Sequence, residues 1–273
     1  MLEIILLLLA GFITGILGAL LGIGGGSLLV PILVLFFNYT MHTAVAAALV
    51  TNVATSLATA HINLLKGMVN IRLSLLLELI TVIAAIIGGF IGNQLNDSLL
   101  KIIFGIILIL VSLIYIRESL KSKEDTVLTN TSLNIFTDSF YDPEKKENIV
   151  YTPHNITLTS IISAIAGLAS GMLGIGGGVF KVPAMNLISR IPLKVSIATS
   201  NYMIGLTAAG GTIPYLTHGK VLPYLSLNMI IGVIFGSKFA AKKFPKITDK
   251  KLRILFAAFL MIISLQMLYK GLK

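Results

Sequence analysis

The chain contains no cysteine. That excludes disulfides, thiolate metal sites and cysteine nucleophiles, and it leaves the redox compartment open. Charge is also scarce, at 12% of 273 residues, and only Glu78 and Lys181 fall where apolar sequence would place them away from water. Of the four histidines, His61 and His218 lie toward the ends of apolar runs with no carboxylate at close spacing. Neither a metal centre nor a catalytic triad is indicated. An enzyme working inside a membrane needs a nucleophile, an acid/base pair or a metal cluster facing one cavity. Glu78 and scattered histidines do not supply one, so no catalytic, metal or cofactor residues are expected. The excess of 21 basic over 11 acidic residues does not point to nucleic acid, because the basic residues sit at the ends of apolar runs rather than on one soluble face.

What fills the chain instead is apolar: 56% hydrophobic residues and a mean hydropathy of +0.94. No soluble domain of this size carries that composition, so the solvent is lipid. Apolar runs occupy Leu2–Leu21, Met41–Leu65, Leu73–Leu95, Leu99–Ile116, Thr157–Leu173, Val195–Leu216, Val221–Phe235 and Leu252–Tyr269. Most approach or exceed the ~20 residues a helix needs to cross ~30 Å of hydrocarbon. Lipid admits only helices and closed barrels, and the short alternating segments of a barrel are missing. The first run lacks a basic start and flows into glycine-rich and further apolar sequence, so it reads as retained structure rather than a secretory signal.

A shift of 152 positions lays Leu21-Gly22-Ile23-Gly24-Gly25-Gly26 on Leu173-Gly174-Ile175-Gly176-Gly177-Gly178, Pro31 on Pro183, Gly67 on Gly219, and Asp97 on Asp249. The chain is a tandem duplication. With a three-residue slip, Thr51-Asn52 meets Ser200-Asn201. Residues 1–117 form the first transmembrane repeat and 157–273 the second. Between them, 118–156 is a polar linker with seven acidic and four basic side chains and too few apolar ones for a core of its own. In each half a short apolar segment containing proline (Ser27–Phe37; Val179–Ser189) follows the glycine turn, and eleven residues at ~1.5 Å reach only ~16 Å. Helix, turn and half-helix are therefore expected to form a re-entrant or broken hairpin ahead of three long helices. If each hairpin makes an even number of crossings, the copies are inverted. Sixteen Lys and Arg residues then fall on the linker side, and only Lys101, Lys220, Lys270 and Lys273 fall opposite. Counting the hairpin once splits the same residues ten and ten. The positive-inside rule selects inverted repeats with a cytoplasmic linker. The expected fold is an all-α polytopic membrane protein of two inverted repeats.

The duplicated Gly-Ile-Gly-Gly-Gly is the strongest local signal. It lacks the Lys-Ser/Thr ending of a phosphate loop and the βαβ unit of a dinucleotide loop. In a membrane, unwound backbone must be buried in protein or line a polar cavity. The helix that opens after each turn aims free N–H groups and a positive dipole end at it, which suits an anion. Gly24, Gly25, Gly26, Ser27, Gly176, Gly177 and Gly178 are the resulting binding candidates, whereas Gly88/Gly92 and Gly232/Gly236 read as close-packing sites. Lys181, three residues past the second turn, either neutralises a bound anion or snorkels to the surface. Glu78 either carries a coupling proton or pairs with Arg72. Thr51 and Asn52 in one copy, and Thr199, Ser200 and Asn201 in the other, can donate to anion oxygens or bond neighbouring helices. Pro31, Pro183 and Pro214 read as helix-shaping residues.

The paired Leu-Gly-Ile-Gly-Gly-Gly motifs with Pro31 and Pro183, Thr199-Ser200-Asn201, and Gly-Thr-Ile-Pro at 211–214 together resemble the TauE/SafE sulfite-exporter family of membrane permeases. The resemblance spans nearly the whole chain except the linker, which is longer than the family pattern requires. It implies a multi-pass protein of the cell (inner) membrane that exports small sulfur-containing anions such as sulfite, sulfoacetate or other organosulfonates. The expected partners are the bilayer, the anion, and a proton or sodium ion as coupling ion. An anion channel or an uptake permease is the alternative.

Overall fold

The computed structural model describes residues 1–120, 134–142, 146–243 and 250–273. Linker residues 121–133 and 143–145, and the stretch 244–249 with Lys246 and Asp249, lie outside the described residues. The first half comprises α1 (Leu2–Leu21), α2 (Gly26–Leu35), α3 (Met41–Leu65), α4 (Ile71–Gln94) and α5 (Asp97–Leu120). An antiparallel hairpin of β1 (Asp138–Asp142) and β2 (Glu147–Tyr151) follows. The second half comprises α6 (Ile156–Leu173), α7 (Gly178–Pro183, running on as a π-helical stretch Ala184–Ile188), α8 (Leu193–Thr217), α9 (Pro223–Lys243) and α10 (Lys250–Leu272). Six of these helices are long and apolar enough to cross a membrane. The chain is an all-α polytopic membrane protein carrying one small hairpin.

The two halves share one local logic. α1 stops at Gly22 (φ 70°), and the chain turns through Gly24 (φ 82°) and Gly25 (φ 77°) before α2 begins; Gly174, Gly176 and Gly177 repeat this at 72°, 81° and 69°. A side chain at such a position costs about 1–2 kcal/mol, which glycine avoids. These turns reverse the chain. Beyond α2, the Tyr39 hydroxyl donates to Glu3 at the start of α1 (3.2 Å). Beyond α7, Ser189 meets the Thr159 hydroxyl (2.7 Å) and accepts from the N–H of His154 (3.0 Å), both at the start of α6. Each short helix thus returns to the end from which its partner set out. His42 on the Leu95 carbonyl (3.1 Å) and Lys270 on the Val34 carbonyl (2.7 Å) belong to the same end as Glu3. Lys66 on the Ala241 carbonyl (3.2 Å) and Arg72 on that of Ile135 (3.1 Å) mark the other, where the hairpin sits.

Packing crosses between the halves. α1 lies on α9 and α6 on α4, and both pairs run parallel: Gly11 and Gly15 meet the backbone of Met229 and Val233, while Gly167 and Gly171 meet that of Thr81 and Ala85. Gly88 and Gly92, against Leu168 and Met172, and Gly232 and Gly236, against Leu8 and Phe12, close the same interfaces backbone to backbone. This is the packing role their spacing suggested. Equivalent helices, by contrast, meet antiparallel. Ser56 of α3 donates to the Asn201 carbonyl of α8 (2.7 Å) while Leu49 meets Gly211; Ser112 of α5 donates to the Ala257 carbonyl of α10 (2.7 Å) while Gly105 meets Leu268.

A second apolar cluster stands apart from the main core. It gathers Leu73 and Leu77 of α4, Met185, Ile191, Val195 and Met203 around α7 and α8, and Phe140 and Tyr151 of the hairpin. Asn70 fastens the hairpin through the Phe136 carbonyl (2.8 Å) and the Tyr151 hydroxyl (3.2 Å), and Lys194 pairs with Asp142 (2.9 Å). Burial pushes the Tyr151 hydroxyl well above its ordinary range, so it stays protonated. The linker, too poor in apolar residues for its own core, borrows one with two aromatics.

The glycine seams set a stability test. A methyl on Gly171 would stand 1.9 Å from the Ala85 carbonyl oxygen, whereas one on Gly67 (φ +62°) would meet nothing within 4 Å. Gly171→Ala is expected to destabilise by about 2–3 kcal/mol through overpacking, and Gly67→Ala by only about 1 kcal/mol through its backbone angle. Thermal unfolding in detergent should rank them in that order.

Candidate functional site

The two glycine turns meet in the centre of the helix bundle. A methyl on Gly26 would fall 2.0 Å from the Gly174 carbonyl oxygen, and one on Gly178 would fall 2.0 Å from that of Gly22. Each turn therefore presses a carbonyl onto the first residue of the other half's short helix, where the positive end of the helix dipole receives it. Gly24, Gly25, Gly176 and Gly177 are buried with them.

Side chains from α3 and α8 hold this crossing. The Gly26 N–H donates to Asn52 Oδ1 (3.2 Å), and Asn52 Nδ2 donates to the Gly174 carbonyl (3.1 Å), so one amide binds both turns. Ser200 Oγ donates to the Gly22 carbonyl (2.7 Å) and Asn201 Nδ2 to that of Ala19 (2.8 Å). The Asn and Ser-Asn positions singled out in the sequence do converge on the turns, and in this conformation their donors serve loop backbone. Left over are Ser27 Oγ, Ser170 Oγ and Asn201 Oδ1, which are buried with no hydrogen-bond partner among the described residues. The threonines beside them are placed differently. Thr51 donates to the Ala48 carbonyl of its own helix (2.9 Å), and Thr199 accepts from the Asn70 N–H at the start of α4 (3.2 Å).

Lys181 is neither a free cation nor a snorkelling one. It is 0% exposed, and its stem lies beside the second turn, with Cε 3.6 Å from where a Cβ on Gly177 would stand. Its ammonium sits 3.0 Å from Glu78 Oε2 and donates to Thr207 Oγ1 (2.8 Å), which donates in turn to Glu78 Oε1 (2.6 Å). Three hydrogen bonds close a ring joining α4, α7 and α8. The alternative pairing of Glu78 with Arg72 does not form. Six residues at ~100° each put Arg72 about 240° around α4 from Glu78, where it faces the Ile135 carbonyl instead. Thr207 went unnoticed in the sequence; its signal was the 152-residue correspondence with Thr55.

Crossed helical hairpins inside a bundle of long apolar helices, with a buried ion pair beside the crossing, belong to a multi-pass membrane protein, and its relatives are membrane transporters. The chain belongs to the TauE/SafE sulfite exporter family, whose model (Sulfite exporter TauE/SafE) matches residues 7–267. It is similar to the probable membrane transporter protein YunE of Bacillus subtilis, 28% identical over 98% of both chains. It is also similar to the probable membrane transporter protein MJ0441 of Methanocaldococcus jannaschii, 32% identical over 96% of this chain and 94% of the relative. A further relative, the probable membrane transporter protein MamO of Magnetospirillum gryphiswaldense, is 27% identical over 93% of this chain but only 43% of its own length. No solved structure matches.

The crossing makes its own prediction. Asn52→Ala removes two hydrogen bonds and strands two buried backbone groups, at about 1–3 kcal/mol each. Ser200→Ala strands only the Gly22 carbonyl. The drop in melting temperature should be about twice as large for Asn52→Ala.

Proposed function

We propose that the protein exports small sulfur-containing anions such as sulfite, sulfoacetate and other organosulfonates across the cell membrane by alternating access. The observation that carries this reading is Lys181, a fully buried ammonium beside the crossed turns. Charges this far from water are expensive and mark solute pathways. Membership of the TauE/SafE family supports the sulfur-anion class. A sulfonate offers three acceptor oxygens, and the donors around the crossing are Lys181, the Asn52 and Asn201 amides, the Ser27 and Ser200 hydroxyls, and the backbone of Gly24–Gly26 and Gly176–Gly178. Glu78 is the coupling group.

In this reading the halves are inverted across the bilayer. The antiparallel meeting of α3 with α8 and of α5 with α10 supports that. By the count along the sequence, sixteen Lys and Arg residues fall on the linker side and four opposite, which makes the hairpin end cytoplasmic. The hairpin is the cytoplasmic gate: Phe140 and Tyr151 pack in one cluster with Leu77 of α4, next to Glu78, and Met203 of α8, one turn before Thr207. Every residue of the ring is buried, so this conformation is occluded.

Two experiments test the reading. Proteoliposomes should show saturable flux of labelled sulfoacetate or sulfite, and the uncharged pair Lys181→Met/Glu78→Gln should lower it by roughly 10- to 100-fold, the equivalent of ~1.5–3 kcal/mol for a hydrogen bond to a charged group. Unchanged flux in a folded variant rejects the site. For the gate, Asp142→Cys/Lys194→Cys can be bridged by a reducible bifunctional thiol reagent, against a background with no other cysteine. Bridging should stop transport and reduction should restore it; bridged protein that transports normally rejects the hairpin as gate.

A further inference from the structure

The fold supplies its own control for the ion pair. At the 152-residue offset, Lys181 corresponds to Leu29, Glu78 to Ile230 and Thr207 to Thr55. The counterpart of this site, around the first half's hairpin, therefore has aliphatic residues, Leu29 of α2 and Ile230 of α9, where this one has charges. A buried pair of opposite charges is, moreover, seldom better for stability than well-packed hydrophobic residues. The Lys181–Glu78 pair is thus not a requirement of the architecture, and it occurs on one side of the pseudo-symmetry axis only.

Resting on the anion-carrier reading above, we propose that the Glu78 carboxylate is an internal stand-in for the transported anion, and that its protonation, one proton for each monovalent anion, releases Lys181 and Thr207 to the substrate. The argument is one of charge and donors. In the empty site Lys181 and Glu78 cancel, and the ring uses the single Thr207 proton on Glu78 Oε1. An oxyanion arriving at Lys181 would set two negative charges against one ammonium in a dry interior, where an uncompensated charge costs several kcal/mol. A proton on Glu78 restores neutrality. It also turns the carboxyl into a donor, so that Thr207 accepts from Glu78 and gives its own proton to the anion. No covalent bond forms or breaks, and the proton enters from and leaves to the same aqueous phase as the anion. The site thus alternates between two neutral states, empty with the ion pair or loaded with anion and proton together. Reciprocal coupling follows, since each ligand raises the affinity for the other.

No other ionisable group faces the ring from the described residues packed around it. α6 has none, and Lys181 is the only one in α7 and its π-helical extension. On α8, Lys194 is held by Asp142 and the Tyr215 hydroxyl donates to the Met172 carbonyl, while Tyr202 lies toward the hairpin end. On α4, Arg72 is turned to Ile135. Of the hairpin groups, Tyr151 is bonded by Asn70 and Asp142 by Lys194. His42 and His61 of α3 stand at that helix's two ends.

The test uses methanesulfonate, which stays monoanionic from pH 5.5 to 8.5, added to purified full-length protein in weakly buffered detergent with a pH indicator. Wild type should take up close to one proton per anion bound, and its affinity should weaken about tenfold per pH unit on the alkaline side. Glu78→Gln should bind with pH-independent affinity, take up no proton, and in proteoliposomes move the anion without response to a pH gradient. The Lys181→Met/Glu78→Gln double variant should melt like wild type and not bind. Proton uptake that survives Glu78→Gln, a wild-type affinity indifferent to pH, or a sodium gradient replacing the pH gradient overturns the proposal. If Glu78→Gln does not fold, the wild-type proton count and pH profile decide alone. Anion binding without proton uptake removes only this proposal; no binding of methanesulfonate, sulfoacetate or sulfite removes the anion-carrier reading and this with it.

Discussion

Unwound backbone buried in the centre of a helix bundle has no water to bond, and this structure answers that constraint by making each half bond the other's turn. Asn52 of the first half reaches the Gly174 carbonyl, and Ser200 of the second reaches that of Gly22. Neither turn is satisfied alone. The same exchange recurs in the helix seams, where α1 lies on α9 and α6 on α4. Each half's hairpin is thus held by the other's long helices, with the glycine seams as the surfaces on which backbone contacts backbone.

Within this near-symmetric frame the chemistry is one-sided. The second half's short helix brings an ammonium where the first brings Leu29, and the carboxylate that meets it comes from the first half's α4. The ring of Lys181, Glu78 and Thr207 ties three helices from both halves by hydrogen bonds.

The hairpin shows how a polar segment acquires structure it has no means to build by itself. Two aromatic side chains, Phe140 and Tyr151, insert into an apolar cluster supplied by the membrane helices, and polar bonds from Asn70 and Lys194 fasten the edges. In composition it is a linker; in position it packs on α4 and α8 beside Leu77 and Met203.

Lipid solvent, helical architecture, the glycine turns after α1 and α6, and the packing glycines were all legible in the sequence, because run length, left-handed turn chemistry and small-residue spacing act over a few neighbouring positions. So was the convergence of Asn52, Ser200 and Asn201 on the turns. Which groups pair across the bundle was not legible. Lys181 finds Glu78 at a separation of 103 residues and Thr207 at 26, and a sequence-local view preferred Arg72, which the helical twist turns away. Thr51 and Thr199, adjacent in sequence to the bridging residues, leave the cluster for the same reason. Local geometry follows from short-range sterics and solvent. The identity of a buried charge's partner follows from how helices from both halves are stacked, and only the tertiary structure decides that.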